Sequence, residues 1–266
     1  MAESNLDLTK KIANKAVGTP VQNWAADMRA RLVARQDSFR KMLPRGLASE
    51  RFVSVLVTYL IQNAETLSRC TPESLMHCCA RIAQDGLDPS VPNEASIVPF
   101  KGKATVIRGY KGYAKMARRS DDIQEIDCCE FHELDSLIFE KGSNSTLKHT
   151  WAIGADRGAI RGFYAYAKIK SGGCVFEIMG VPEVLDHARR FTRASEKGPF
   201  ARLHQEGINH ENFVPYGLKT VLIRLCTRKL DMLPEVANAL AEEHGDAPIA
   251  SQIEVDVIDV PEGAEQ

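Results

Sequence analysis

From Ala95 to Ser120 the chain has no acidic residue, yet it carries Lys101, Lys103, Arg108, Lys111, Lys115, Arg118 and Arg119. Phe100, Tyr110 and Tyr113 are interleaved with them. At about 100° per residue, Arg108, Lys111, Lys115 and Arg118 share one helical face. Tyr110, Tyr113, Ala114 and Ala117 lie on another and can pack against a sheet. With no acid in a neighbouring turn, these cations repel one another unless an anion arrives. A phosphate backbone is such an anion, and neutralising it releases counterions. The competing reading is a solvated cationic face balanced by acids from elsewhere in the fold.

A second surface follows. Two-residue alternation puts Phe163, Ala165, Ala167 and Ile169 on one face of a strand and Tyr164, Tyr166, Lys168 and Lys170 on the other. Aromatics among lysines suit the bases and backbone of a single strand; ordinary cross-strand packing uses the same tyrosines. Arg189, Arg190, Arg193 and Lys197 crowd the end of a helix opened by Pro182, where the dipole also favours cations. In a later helix Leu218, Val221, Leu222 and Leu225 face the core and Thr220, Arg224, Thr227 and Arg228 face away. Lys219 falls at the edge of that stripe, where a stem can pack while its ammonium reaches out.

Several chemistries find no residues. There is no G-x-x-x-x-G-K-[ST], since Gly102-Lys103 is followed by Ala and lacks the first Gly, so a P-loop ATPase is disfavoured. No Glu is followed two residues later by Lys, which removes the simplest nuclease metal pattern. The seven cysteines form no C-x-x-C. Zinc from His77, Cys78 and Cys79 would need an improbable geometry. Cys70, Cys78, Cys79, Cys174 and Cys226 read as packing residues. His187, His204 and His210 have no evident Ser or Cys triad partner.

These residues need elements to hold them. A helical stretch carries Trp24, Met28, Leu32 and Phe39 near one face, for a subunit contact or for packing on the chain's own body. Pro44-Arg45-Gly46 ends it. A strongly apolar helix is expected from Ser49 to Leu67. Another starts at Thr71-Pro72-Glu73 and stops at Gly86. Strands are expected at Ser96–Phe100, Ala104–Arg108, Ile123–His132, Ser136–Glu140, Leu147–Trp151, Ala159–Lys170 and Cys174–Met179, with a helix over Gly109–Arg119. The Pro182 helix should run to Arg193, and two more helices to span Asn209–Tyr216 and Gly217–Leu230. Helices, antiparallel strands and helices again make an α+β fold.

Charge divides the chain. Residues 235–266 hold nine acids and no Lys or Arg, leaving 26 acids against 34 basic residues before them, +8 against −9. A basic body with an acidic tail points to a polyanion partner. The expected organisation is a helical oligomerisation segment over 1–45, a core over 46–234 and an acidic, unstructured tail over 235–266. In the tail Ile253, Val255 and Val257 alternate with Glu254 and Asp256, a pattern able to add to a sheet edge. No apolar run is long enough for a membrane span, and an odd cysteine count fits a reducing cytoplasm.

Gly86-Leu87-Asp88-Pro89, Ile97-Val98-Pro99-Phe100 and GYKGYAKMARRS at 109–120 resemble the RecT family of phage and prophage single-strand annealing proteins. The order continues with Arg161 to Ile169, SGGCVFEIM at 171–179, the Arg189–Phe200 segment and Lys219-Thr220-Val221-Leu222, so the likeness spans Leu67 to Pro234. The resemblance implies a small antiparallel sheet with helices forming a basic DNA groove, and assembly into rings or helical filaments. It implies ATP-independent binding and annealing of single-stranded DNA in homologous recombination, through an annealed duplex intermediate. It brings a 5′–3′ exonuclease and a host single-strand-binding protein as partners, in a bacterial cytoplasm. The groove role falls on Lys111, Lys115, Arg118 and Arg119, then Lys168, Arg189, Arg190 and Lys219. No cofactor is required, and magnesium would act through the DNA. Cys128, Cys129 and His132 stand as ordinary strand residues.

Two other classes compete: a metal nuclease with Asp121, Asp122 and Glu125, and a protein that coats single strands and blocks pairing. Annealing itself needs no general acid or base, because strand repulsion and internal hairpins limit it.

Overall fold

The computed structural model describes residues 20–153, 156–191 and 202–230. The acidic tail, residues 1–19, Arg193 and Lys197 lie outside them. Five helices come first: α1 (Pro20–Ala34), α2 (Gln36–Met42), α3 (Ser49–Gln62), α4 (Ala64–Leu67) and α5 (Pro72–Asp85). The apolar stripe of α1 and α2 turns onto α3. Met28, Leu32 and Phe39 are buried, and the Phe39 ring meets Phe52 edge-on at 5.8 Å. The stripe is therefore used within the chain's own core, the second of the two readings its pattern allowed. The expected helix from Ser49 to Leu67 breaks at Asn63, whose Nδ2 donates to the Tyr59 carbonyl at 2.8 Å.

Helix α5 starts and stops on its sequence signals. The Thr71 hydroxyl accepts the Ser74 N–H, Pro72 occupies the first turn, and Gly86 closes the helix at φ 57°. Leu87 then donates back to the Ile82 carbonyl at 3.1 Å, satisfying an end group.

Next come the hairpin β1 (Ala95–Phe100) and β2 (Lys103–Arg108), and helix α6 (Tyr110–Ala117). They lead into β3 (Ile123–His132), the hairpin β4 (Ser136–Glu140) and β5 (Thr146–Thr150), then β6 (Ile160–Ile169) and β7 (Cys174–Gly180). The order β3-β6-β7 is antiparallel throughout, so the β4–β5 hairpin is an excursion between two paired strands. Among the described residues there are three small antiparallel sheets where one was expected. Three helices follow, α7 (Val181–Phe191), α8 (Leu203–Glu206) and, after a 3-10 turn at Gly207–Asn209, α9 (Phe213–Lys229).

The break expected between Tyr216 and Gly217 does not occur. Pro215 sits in the first turn of α9, where its missing N–H costs nothing, and Gly217 is needed for a close approach. A Cβ there would run into the Phe163 ring of β6. Phe163, Ala165 and Ala167 bury their face of β6 against α9, and one apolar core joins the helical half to the sheet. Among the described residues no helix is long and apolar enough to cross a membrane.

Candidate nucleic-acid interface

The glycines of the GYKG run place α6. A Cβ on Gly109 would strike the Asn93 backbone and one on Gly112 the Glu94 carbonyl. Gly109 and Lys111 donate their N–H groups to Glu94 and Asn93 at 3.1 and 3.0 Å. The turn after α5 is thus seated directly on α6. Glu94, buried at 6% exposure, accepts the Asp88 N–H at 2.7 Å and pairs with the Lys115 ammonium.

Tertiary contact therefore brings acids to cations that stand far from any acid in sequence. Arg108 is 4% exposed, with its Nε 2.7 Å from Asp85 Oδ2. Arg119 donates to the carbonyls of Asp85 and Gly86 and so caps the C-terminus of α5. Arg118 donates to the Ile126 carbonyl at 2.9 Å while remaining exposed. The expectation that this stretch repels itself without an anion is corrected: Asp85 and Glu94, from outside it, partner Arg108 and Lys115.

Lys101, Lys103 and Lys111 are exposed. The Lys101 ammonium lies 5.4 Å from the centre of the Phe100 ring, itself 62% exposed, and that of Lys111 lies 6.0 Å from the Tyr110 ring. Lys101 and Lys103 flank the β1–β2 turn, and Lys111 begins α6.

On the outer face of β6 the two readings divide. Tyr164 is 7% exposed beneath the β4–β5 hairpin, its ring 5.4 Å from that of His149. Tyr166 donates to Glu125 Oε1 at 2.5 Å, and Lys168 reaches Glu125 Oε2 at 2.6 Å. Lys168 and Tyr166 hold the Glu125 carboxyl below its ordinary value. Among the described residues no three His, Cys, Asp or Glu side chains come together to hold a metal. Of the three acids Asp121, Asp122 and Glu125, Glu125 is engaged with Tyr166 and Lys168.

The remaining cations differ in placement. Arg189 pairs with Asp186 at 2.5 Å in solvent, and Arg190 is exposed on a groove shared with Arg224 and Arg228 of α9. Lys219 does not reach out: it is 8% exposed, its ammonium 5.8 Å from the centre of the Tyr113 ring. Thr220, read as facing away, is buried and donates to the Tyr216 carbonyl at 2.8 Å.

Sequence reading missed one centre. Asp135, with its side chain out of solvent, accepts from Arg157, from the N–H groups of His132 and Ala152, and contacts His149 Nε2 at 3.2 Å. The Trp151 indole N–H donates to His149 Nδ1 at 3.0 Å. An indole only donates, so Nδ1 is the accepting nitrogen and Nε2 carries the proton toward Asp135. The signal available was weak: one Asp and one His some fourteen residues apart, on different elements. The cysteines are free thiols, and burial pushes Cys79 and Cys226 up to about 12, as suits packing residues.

This architecture has relatives. The model of the RecT family matches residues 50–232. The chain is 28% identical to the protein RecT of Escherichia coli (strain K12) over 209 residues, 75% of this chain and 76% of that one. It is also 28% identical to the uncharacterized protein YqaK of Bacillus subtilis (strain 168) over 133 residues, 49% of this chain and 46% of that one. The family match runs from α3 past the end of α9 and takes in the α5 cap, the seat of α6 and the β3-β6-β7 sheet. The chain belongs to the RecT family of single-strand annealing recombination proteins.

Proposed function

We propose that the chain binds single-stranded DNA and anneals complementary strands without ATP, with phosphate contacts made by its exposed cations rather than by the whole basic set. The observation that carries this reading is the trio Lys101, Lys103 and Lys111, exposed in an acid-free stretch beside Phe100 and Tyr110. Lysines supply sequence-independent attraction to the backbone, and an exposed ring offers a surface on which any base stacks. Arg118, Lys168, Arg189 and Arg190 are exposed as well and are assigned phosphate contacts in the same reading. Arg108, Arg119 and Lys219 act in the fold that presents it, and Lys115 does both, its side chain 39% exposed beside Glu94.

Annealing requires no covalent step. A cationic surface lowers repulsion between strands and holds one extended, leaving base edges for pairing. One domain of this size spans a short piece of strand, so self-association is part of the proposal, as is handover from a 5′–3′ exonuclease and a single-strand-binding protein. Magnesium enters only by screening the DNA.

The test mixes complementary oligonucleotides with the purified protein, without nucleotide or metal. Duplex gain supports the reading. A strict ATP requirement, strand cleavage, or slowed pairing would each replace it.

A further inference from the structure

A groove with a volume of 380 Å³ runs between α7 and α9. Across it Glu183 faces Arg224 at 3.8 Å, and His187 Nδ1 lies 2.8 Å from the Tyr216 hydroxyl, so the two helices run antiparallel. Arg228 therefore stands at one end and Arg190 at the other, both exposed. Met179 and Ile223 give the groove an apolar floor. The acids around it are engaged. Glu183 accepts the Gly180 N–H at 3.0 Å, Asp186 holds Arg189, and buried Glu177 lies 3.7 Å from Arg224. Arg190 and Arg228 form no ion pair among the described residues. This is also the open side of α9, since Leu218, Val221, Leu222 and Leu225 bury the other side in the core.

We propose that residues 234–244 of the same chain lie along this groove as a helix that returns from the end of α9. That segment lies outside the described residues and beyond the family match, which stops at residue 232. Although its composition reads as unstructured, its residue order carries helix signals: Pro234 for the first turn, Glu235 behind it and Gly245 as a stop. Glu242 and Glu243 fall in the last turn, where the helix dipole disfavours acids, so they call for cations from outside. Leu230, the last described residue, follows α9 at the Arg228 end. Residues 230–233 make a connection of the length that joins antiparallel helices. The returning helix then sets Glu235 beside Arg228 and, two turns on, Glu242 and Glu243 toward Arg190. Val236 and Leu240, one turn apart, face Met179 and Ile223. The lengths agree, since residues 234–244 rise about 16 Å as a helix and residues 220–228 of α9 about 12 Å. The groove holds side chains and not a helix backbone, so the segment rests on its rim. Arg190 is shared with the DNA reading, but the contact does not depend on that reading and is measured without DNA.

The experiment follows amide exchange at Leu240 in the full chain, with Ala165 of the central strand as an internal control. A helix of this length is marginal on its own in water, so slow exchange at Leu240 reports docking. Arg190→Glu with Arg228→Glu should speed it about tenfold or more and leave Ala165 unchanged. Adding Glu235→Lys, Glu242→Lys and Glu243→Lys should restore slow exchange, because the charges are then swapped across the contact. Leu240 exchange that is equally fast in the parent and in the arginine variant would overturn the proposal. So would slow exchange that the arginine changes leave untouched, because the helix would then be held elsewhere. Protection that fades on dilution would overturn it too, by moving the contact to a neighbouring copy.

Discussion

Arg108 Nε lies 2.7 Å from Asp85 Oδ2, with the two side chains 4% and 6% exposed, and this pair ties β2 to the last turn of α5. Burial pushes the Asp85 carboxyl up and Arg108 pulls it back. The pair is a strut beneath the exposed lysines. Removing one member strands a buried charge, so Arg108→Leu should cost about 3–5 kcal/mol. Arg108→Leu with Asp85→Leu should recover much of it. Urea unfolding checks both.

The exposed lysines should behave differently. Lys101→Gln, Lys103→Gln and Lys111→Gln should leave the unfolding midpoint in place and weaken single-strand binding on every sequence. Each lysine that neutralises a phosphate adds about 1 to the salt slope, so its replacement should flatten the slope by that amount. Titrations at several salt concentrations read this directly, and an unchanged slope with lower affinity would remove these residues from the interface.

Asp135 gives a pH signature. Arg157 above all, then the backbone N–H groups and His149, hold its carboxyl well below the usual carboxylate range. Its contribution to stability is complete above the unfolded value of about 3.9 and is lost as pH falls from there toward the folded value, because the unfolded chain takes the proton first. Asp135→Asn should lower stability at neutral pH and flatten the decline between neutral and acid conditions. Unfolding midpoints measured down the pH scale check the slope.

Gly217→Ala sets two effects against each other. In an open helix the change would gain about 1 kcal/mol. Here the new methyl meets the Phe163 ring in the packed core, and overpacking costs about 1–3 kcal/mol. A net loss is expected in thermal or urea melts; a gain would mean that Phe163 moves aside.

Truncation separates the two uses of the N-terminal segment. Deleting residues 1–45 removes Met28, Leu32 and Phe39 from the core and should destabilise the fold; each large-to-small core change alone costs about 2–5 kcal/mol. Deleting residues 1–19 keeps Met28, Leu32 and Phe39 in the chain. If the segment also joins subunits, the shorter deletion should shrink assemblies in sedimentation while melting stays unchanged.

Local signals determined much of this protein. Thr71-Pro72, Gly86 and two-residue alternation set α5 and the strands, because caps and pleats depend on neighbours in sequence. The ordered motifs were enough to suggest the family. What tertiary structure alone decided was which cations of the basic stretch find an acid partner. Asp85 stands 23 residues from Arg108 and Glu94 stands 21 from Lys115, separations that no helical or strand period reports. The same holds for Lys219, whose place at the edge of an apolar stripe fitted solvent until Tyr113 of another helix covered it. Charge pattern is local, whereas neutralisation is a matter of packing, and packing divides the basic stretch into struts and surface.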